Sequence, residues 1–191
     1  TRALGSPYGV SGAAWLAAGM GRAYSRTALR LEGFADAVDD RGRGLAALIG
    51  AFGRVDRVAE EESAALWRSV RDAEFIAEPR DRAVWRVSLA PSRAAPFAAA
   101  IGETALAHCY DWGGGLVWVA TAASETAAAA VRRAVASAKG HATLMRAPDA
   151  LRAAVDVFEP PSPVALRLSR GLKHSFDPDG VLNFGRMYDG V

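Results

Sequence analysis

AVWRVSLAPSRAAPFAAAIGETALAHCYDWGGGLVWVATAASETAAAAVRRAVASAKGHATLMR, residues 83–146, is the stretch on which the fold turns. Trp85, Val87 and Leu89 alternate as one face of a strand, which Pro91 and Ser92 stop. Phe97, Ile101 and Ala105 recur at helical spacing, and Pro96 is tolerable only in the first turn of such a helix. His108 to Asp111 and Leu116 to Thr121 read as two strands joined by Trp112-Gly-Gly-Gly115, where glycine supplies the positive φ of a hairpin connection. Ser124 caps a helix with a buried stripe of Ala128, Val131, Val135 and Ala138, which Lys139 and Gly140 end. Ala142 to Arg146 closes the set as a strand. The order β-α-β-β-α-β is the split βαβ arrangement and predicts an α+β fold. Its core is a ferredoxin-like antiparallel sheet, extended by earlier elements, with helices packed on one face.

Upstream, Thr27, Leu29 and Leu31 alternate as a half-buried strand, followed by helical spacing from Phe34 through Val38, Leu45, Leu48 and Ile49 to Phe52. Gly42 and Gly44 each weaken that helix by about 1 kcal/mol and are candidates to split it. A short strand is predicted at Val55–Ala59. A helix follows from Glu61 to Phe75, with Ala65, Leu66, Val70 and Ala73 toward the core. Residues 1–24 read as loop, punctuated by Gly5, Pro7, Gly9, Gly12, Gly19 and Gly21. Beyond Pro148 come a short helix at 150–155, the stiff run Glu159-Pro-Pro-Ser-Pro163 and a helix bearing Leu166, Leu168, Leu172 and Phe176. Asp177-Pro-Asp-Gly180 is a type I turn leading into a compact tail.

The composition narrows the function classes. The chain has 191 residues, 51% of them hydrophobic and 23% charged, enough for one domain with a real core and too apolar for global disorder. No apolar run reaches the length of a membrane span. One cysteine excludes a disulfide framework and a multi-cysteine metal site, and it fits a reducing cytoplasm. A net charge of +2 is too slight to imply nucleic acid. Arginine outnumbers lysine 21 to 2, and alanine fills 42 positions, a pattern that GC-rich coding explains. Thr1 and the residues after it do not form a signal peptide and read as the interior of a longer protein.

Few residues stand out as chemistry. The early glycines lack the G-x-G-x-x-G spacing and a preceding strand, so they are no dinucleotide fingerprint. His108, His141 and His174 are far apart without paired ligand spacing, and structural roles are the default for all three. Cys109 reads as a small buried hydrophobe. Trp85, Tyr110, Trp112 and Trp118 fall on strands or their hairpin; core packing outweighs base stacking, because no RNA-binding strand motif accompanies them. Three consecutive glycines exceed what a plain hairpin needs, which leaves simple turn chemistry and close approach of a backbone or ligand both open.

The tail Phe176-Asp-Pro-Asp-Gly-Val-Leu-Asn-Phe-Gly-Arg186 resembles the closing signature F-D-P-x-G-[IV]-[LF]-N-P-G-R of FAD-linked oxidases of the vanillyl-alcohol oxidase / p-cresol methylhydroxylase type. The opening Leu4-Gly-Ser-Pro-Tyr-Gly-Val-Ser-Gly-Ala-Ala14 and the hairpin Tyr110-Asp-Trp-Gly-Gly-Gly-Leu-Val-Trp118 look like the FAD-binding E subunit of bacterial glycolate oxidases. The resemblance implies three parts. Residues 1–24 would be a linker from an N-terminal FAD-binding domain, 25–147 a cap with the ferredoxin-like core, and 148–191 a C-terminal helix and tail returning to the flavin domain.

FAD would be held mainly by that N-terminal domain, so this stretch alone is expected to be inactive. The resemblance assigns Asn183, Gly185 and Arg186 to the cofactor side and leaves the catalytic residue unknown, with no metal ligands. Implied partners are the chain's own flavin domain, the sister subunits of a glycolate oxidase complex and a small 2-hydroxy acid substrate, with neither nucleic acid nor a membrane span. The implied location is cytoplasmic, with peripheral inner-membrane association through partner subunits left open. The alternative reading is a non-catalytic assembly or electron-transfer subunit domain that docks sister subunits. Two features depart from the pattern: Phe184 replaces the usual Pro, and Asp111 to Val119 lacks the histidines that support a metal in related 2-hydroxy-acid dehydrogenases.

Overall fold

The structure is a computed structural model and describes residues 1–18, 23–188 and 191. In chain order the elements are β1 (Gly12–Leu16), β2 (Arg26–Arg30), α1 (Ala35–Ile49), α2 (Glu60–Arg71), β3 (Ala83–Ser88) and α3 (Ala94–Ile101). These are followed by β4 (Ala107–Asp111), β5 (Leu116–Thr121), α4 (Glu125–Ala138), β6 (His141–Arg146), α5 (Asp149–Ala154) and α6 (Pro163–Phe176). The six strands form one antiparallel sheet in the order β2-β1-β4-β5-β3-β6. The class is α+β, as the periodicities predict, and the β-α-β-β-α-β run occupies the expected residues.

Alternation along β3 divides the core between the two faces. Trp85 and Val87 point one way, pair in register with Val119 and Val117 of β5, and are covered by Phe97 and Ile101 of α3 and by Val131 and Val135 of α4. Burying each such aliphatic or aromatic side chain contributes about 1.5–3 kcal/mol, so this layer dominates the fold's stability. The fully buried Trp85 indole donates to Thr121 Oγ1 at 3.3 Å, and that hydroxyl donates onward to the Ala122 carbonyl. Val84 points to the opposite face, with Ala120, Ala73 and Ile76. On that same face α2 lays Val70, Leu66 and Trp67 over Ala14, Leu16 and Cys109. Helices therefore cover parts of both faces, which corrects the expectation of helices on one face: α2 buries its own apolar residues on the side opposite α3 and α4.

Ser124 caps α4 through its side-chain oxygen, which accepts the Ala127 N–H at 3.2 Å. At the other end the left-handed position falls on Lys139 (φ 54°) and not on the glycine after it. Gly140 is required for a different reason. A Cβ there would stand 2.6 Å from the Ser88 carbonyl oxygen and 2.9 Å from Leu89 Cβ, so the start of β6 packs directly on the end of β3.

Three local expectations are corrected. Residues 12–16, read as part of a loop and linker, form β1, which joins the sheet between β2 and β4. The flanking glycines conceal a five-residue strand too short to show a period. Val55–Ala59 is not a strand: Val55 and Val58 are exposed, and among the described residues no neighbouring strand pairs with their backbone. Gly42 and Gly44 do not split α1, which runs unbroken from Ala35 to Ile49, and the Tyr8 ring packs into the space that a side chain at 44 would occupy. Gly19 and Gly21 lie outside the described residues.

The free edge of β6 is closed by a strap, residues 155–159, which Arg132 of α4 holds. Its guanidinium lies 5.2 Å from the Trp85 ring centroid and donates to the carbonyls of Ala142, Asp156 and Phe158 and to the Glu159 carboxylate, at 2.5–2.9 Å. Glu159 in turn accepts the Ala142 N–H at 3.0 Å, and Leu144 N–H donates to the Val157 carbonyl at 2.8 Å. Arg132→Ala removes the donor and strands a half-buried carboxylate. It is expected to cost about 3 kcal/mol in urea unfolding. Gly140→Ala is expected to lower stability by about 1–3 kcal/mol, because the Ser88 carbonyl it displaces is locked into β3.

Candidate functional site

The face of the sheet opposite α3 and α4 carries an open concavity of about 710 Å³, walled on one side by α2. Its chemistry is arginine and tryptophan. Arg86 rises from the middle of β3, the one charged residue in Ala83-Val-Trp-Arg-Val-Ser88, and its guanidinium stacks 5.1 Å from the Trp112 ring centroid. Arg30 of β2 stacks 5.1 Å from the Trp67 ring of α2, and its Nε also reaches Glu32 at 3.2 Å and Ser11 Oγ at 3.3 Å. Arg68 and Arg71 enter the lining from α2, and Arg71 is engaged by Asp72 at 2.7 Å. Cation–π stacking uses the flat face of a guanidinium and leaves its in-plane N–H fork free for a carboxylate or phosphate. Among the described residues, Arg86 has no hydrogen-bond or ion-pair partner.

The hairpin glycines serve this wall. Trp112, Gly113 and Gly114 are consecutive positive-φ residues (51°, 64° and 99°). A non-glycine residue in this region costs about 1–2 kcal/mol. The Asp111 carboxylate offsets part of that by accepting the Trp112 N–H at 2.7 Å. Gly114 approaches the Pro91 carbonyl so closely that a Cβ would sit 3.2 Å from it. Turn chemistry and close backbone approach thus both operate, and together they hold Trp112, 60% exposed, over Arg86.

Asn183, Gly185 and Arg186 lie elsewhere, and none lines the concavity. All three are exposed in a tail turn, where Asn183 (φ 50°) and Gly185 (φ 69°) are left-handed and Arg186 N–H donates to the Asn183 carbonyl at 3.1 Å. A Cβ at Gly185 would meet nothing within 4 Å, so this chain leaves open space against that backbone. The donor set of an amide, a guanidinium and an uncovered backbone suits a polar, anionic cofactor edge, but this chain supplies no enclosing wall.

Two anchors fix the tail. The Tyr188 hydroxyl donates to the Glu159 carbonyl at 3.0 Å and its ring sits edge-on to Phe158. Asp177 accepts the N–H groups of Val181 and Leu182 at 3.0 and 2.9 Å and pairs with Lys173 at 2.5 Å. The Lys173 ammonium first, then the Leu182 and Val181 amides, hold the Asp177 carboxyl below its ordinary range.

The histidines do not converge. His108 lies on the α3/α4 face, away from the concavity, between the Trp15 and Tyr110 rings at 5.3 and 5.5 Å. Burial pushes its pKa down, and pushes that of Tyr110 up. His141 is exposed at the start of β6, and His174 is in the last turn of α6. Cys109 is buried with Ala14, Leu16 and Val70, as expected of a small hydrophobe. Among the described residues, no three His, Cys, Asp or Glu side chains cluster as metal ligands. No described helix is long and apolar enough to cross a membrane.

Sequence reasoning assigned Trp112 to core packing, which its exposure corrects, and left Arg86 unassigned, since nothing in the count of arginines singled one out. The usable signal was a lone charge in a central, otherwise apolar strand.

Comparison with known proteins relates the chain to GlcE-like FAD-linked oxidase subunits. The similarity is to glycolate oxidase subunit GlcE of Escherichia coli (strain K12), at 34% identity over 129 residues. That match takes in 68% of this chain and 33% of the relative, so the chain spans about a third of the length of the protein it matches. No protein-family profile matches the chain, and no solved structure does.

The Asp177 arrangement has a measurable pH signature. A carboxyl depressed in the folded state stabilises the protein above its unfolded value, near 3.8, and that contribution is lost as pH falls through the folded value. Asp177→Asn is expected to lower the hydrogen-exchange protection factors of the Val181 and Leu182 amides at neutral pH. Wild-type protein should lose the same protection only when acidified below the ordinary carboxyl range.

Proposed function

We propose that this chain is the substrate-side domain of a flavin-dependent oxidoreductase subunit of the glycolate oxidase type, acting on a small 2-hydroxy acid within a complex with sister subunits. The observation that carries the reading is Arg86. It is a stacked guanidinium with an unclaimed fork, set on the open face of the central strands, where it can orient a substrate carboxylate. In this reading residues 25–147, together with β1, form a cap with a ferredoxin-like core, and residues 148–191 return toward a flavin-binding part of the same protein.

FAD, when bound, supplies the hydride-accepting chemistry. Asn183, Gly185 and Arg186 would meet its polar edge, while the greater part of its binding lies outside this chain. Arg86 binds and orients the acid, and Trp112 fixes the plane of Arg86. No residue is assigned to proton abstraction. The proposed location is the cytoplasm, with any membrane association arising through partner subunits.

A second reading has its own observation. Val164, Leu168, Leu172 and Phe176 form an exposed apolar stripe along α6, which no described residue covers. It favours a domain whose main task is assembly or electron transfer between subunits.

The complete gene product separates the two. Flavin absorbance that bleaches on anaerobic addition of glycolate or a related 2-hydroxy acid supports the first reading, and Arg86→Met should then raise KM at least about tenfold, the loss of one charge-assisted pair. Bound flavin that no 2-hydroxy acid bleaches favours the assembly reading. A full-length product without flavin overturns the flavin-dependent assignment.

A further inference from the structure

We infer that Asp111 is a positioning residue: by fixing Trp112 it sets how strongly Arg86 holds an anion, without touching that anion itself. The inference rests on the reading of Arg86 as the carboxylate-binding group, and it names what governs that group.

Asp111 and Arg86 both line the concavity, yet among the described residues they form no ion pair. Asp111 ends β4 and pairs with Leu116 of β5, which pairs in turn with Ser88, two residues beyond Arg86 on β3. A whole strand therefore lies between the carboxylate and the strand that carries the guanidinium. The Asp111 oxygen instead accepts the Trp112 N–H at 2.7 Å, and the Trp112 ring stacks 5.1 Å from Arg86.

Trp112 is the one residue of this tip that carries a side chain on a left-handed backbone, at φ 51°. Such a backbone persists only where its surroundings impose it. Here they do so from three directions. A Cβ at Gly113 would run into Leu4 Cδ1, and one at Gly114 would stand 3.2 Å from the Pro91 carbonyl oxygen, so chain packs closely on either side of the tip. The Trp112 carbonyl accepts the Gly115 N–H at 3.1 Å, and the Gly115 carbonyl accepts the Leu89 N–H at 3.1 Å. Leu89 directly follows β3, so the tip is tied to the strand that bears Arg86. Asp111 holds the remaining side, the Trp112 amide. Without that acceptor the backbone relaxes and the indole leaves the guanidinium.

A stacked guanidinium presents its N–H fork in one plane, whereas an unstacked arginine gives up rotamer freedom when an anion binds. Charge alone predicts the opposite sign, because removing a carboxylate from a space lined by arginine strengthens its hold on an anion. The two roles of Asp111 are therefore separable.

The test is fluorine NMR of the complete gene product, labelled with fluorotryptophan and titrated with acetate, which has no hydroxyl carbon to oxidise. The resonance missing from Trp112→Phe identifies Trp112. Asp111→Ala is expected to shift that resonance and to weaken acetate about fivefold. Asp111→Asn keeps an acceptor oxygen and drops the charge, and should restore both the shift and the affinity. Trp112→Gly relaxes the backbone and removes the ring. It should weaken acetate by itself, and adding Asp111→Ala to it should bring no further loss.

Acetate held by Asp111→Ala as tightly as by wild type, or more tightly, overturns the inference. So does a loss that Asp111→Asn does not recover, or one that persists in the Trp112→Gly background. If Asp111→Ala does not fold, Trp112→Gly decides: wild-type affinity there overturns the inference. Each of these results sinks this inference alone so long as Arg86→Met weakens acetate. Wild-type acetate binding by Arg86→Met removes the substrate-side reading with it.

Discussion

Arg132 is the residue that ties the main core to the β6 edge and the strap beyond it. Its guanidinium lies on the Trp85 indole at the centre of the main core and reaches β6 and the strap beyond it. An open sheet edge presents unpaired N–H and C=O groups that invite another strand. Here the strap answers the edge through Leu144 to Val157 and Ala142 to Glu159, and Arg132 supplies the charge that keeps Glu159 in place. The tail depends on it in turn, since Tyr188 is anchored on the Glu159 carbonyl. A single partly buried cation therefore connects helix packing, edge closure and the position of the closing segment.

The two faces of the sheet have different chemistry because β3 and β5 alternate. Trp85, Val87, Val117 and Val119 make one face a dry layer under α3 and α4. The residues between them make the other: Arg86 and Trp118 line the concavity, and Val84 and Ala120 pack against the turn after α2. A charge on a central strand is costly unless it is solvated or held by a partner. Arg86 meets that condition with a half-exposed position and a stacked ring, not with an acid. This is the arrangement expected of a cation kept available for an anionic ligand.

Long, strongly patterned elements were legible in the residues. The α4 stripe, Ala128, Val131, Val135 and Ala138, is buried as its spacing requires, and Ser124 caps where a serine before a helix should. The β-α-β-β-α-β order followed from the same periods. Weaker signals failed for identifiable reasons. Gly12–Leu16 is short and flanked by glycines, Val55–Ala59 has strand-like residues but no strand to pair with, and Gly44 needed knowledge of Tyr8 to be seen as a packing site. Of the site, the hairpin was marked by its glycines. Arg86 was not, because the meaning of a charge in a strand depends on which face of which sheet it reaches.

The sequence by itself determined the α+β class, the order of the central elements, the capping of α4 and the family likeness carried by the tail and the hairpin. These are properties of residues close together in the chain, where period and turn chemistry act directly. Only the tertiary structure decided that Arg86 and Arg68, eighteen positions apart on consecutive elements, line one space, that Trp112 stacks on Arg86, and that Asn183, Gly185 and Arg186 lie apart from both. Those relations arise from strand pairing and from packing α2 on the sheet. Both bring together side chains that no local pattern connects.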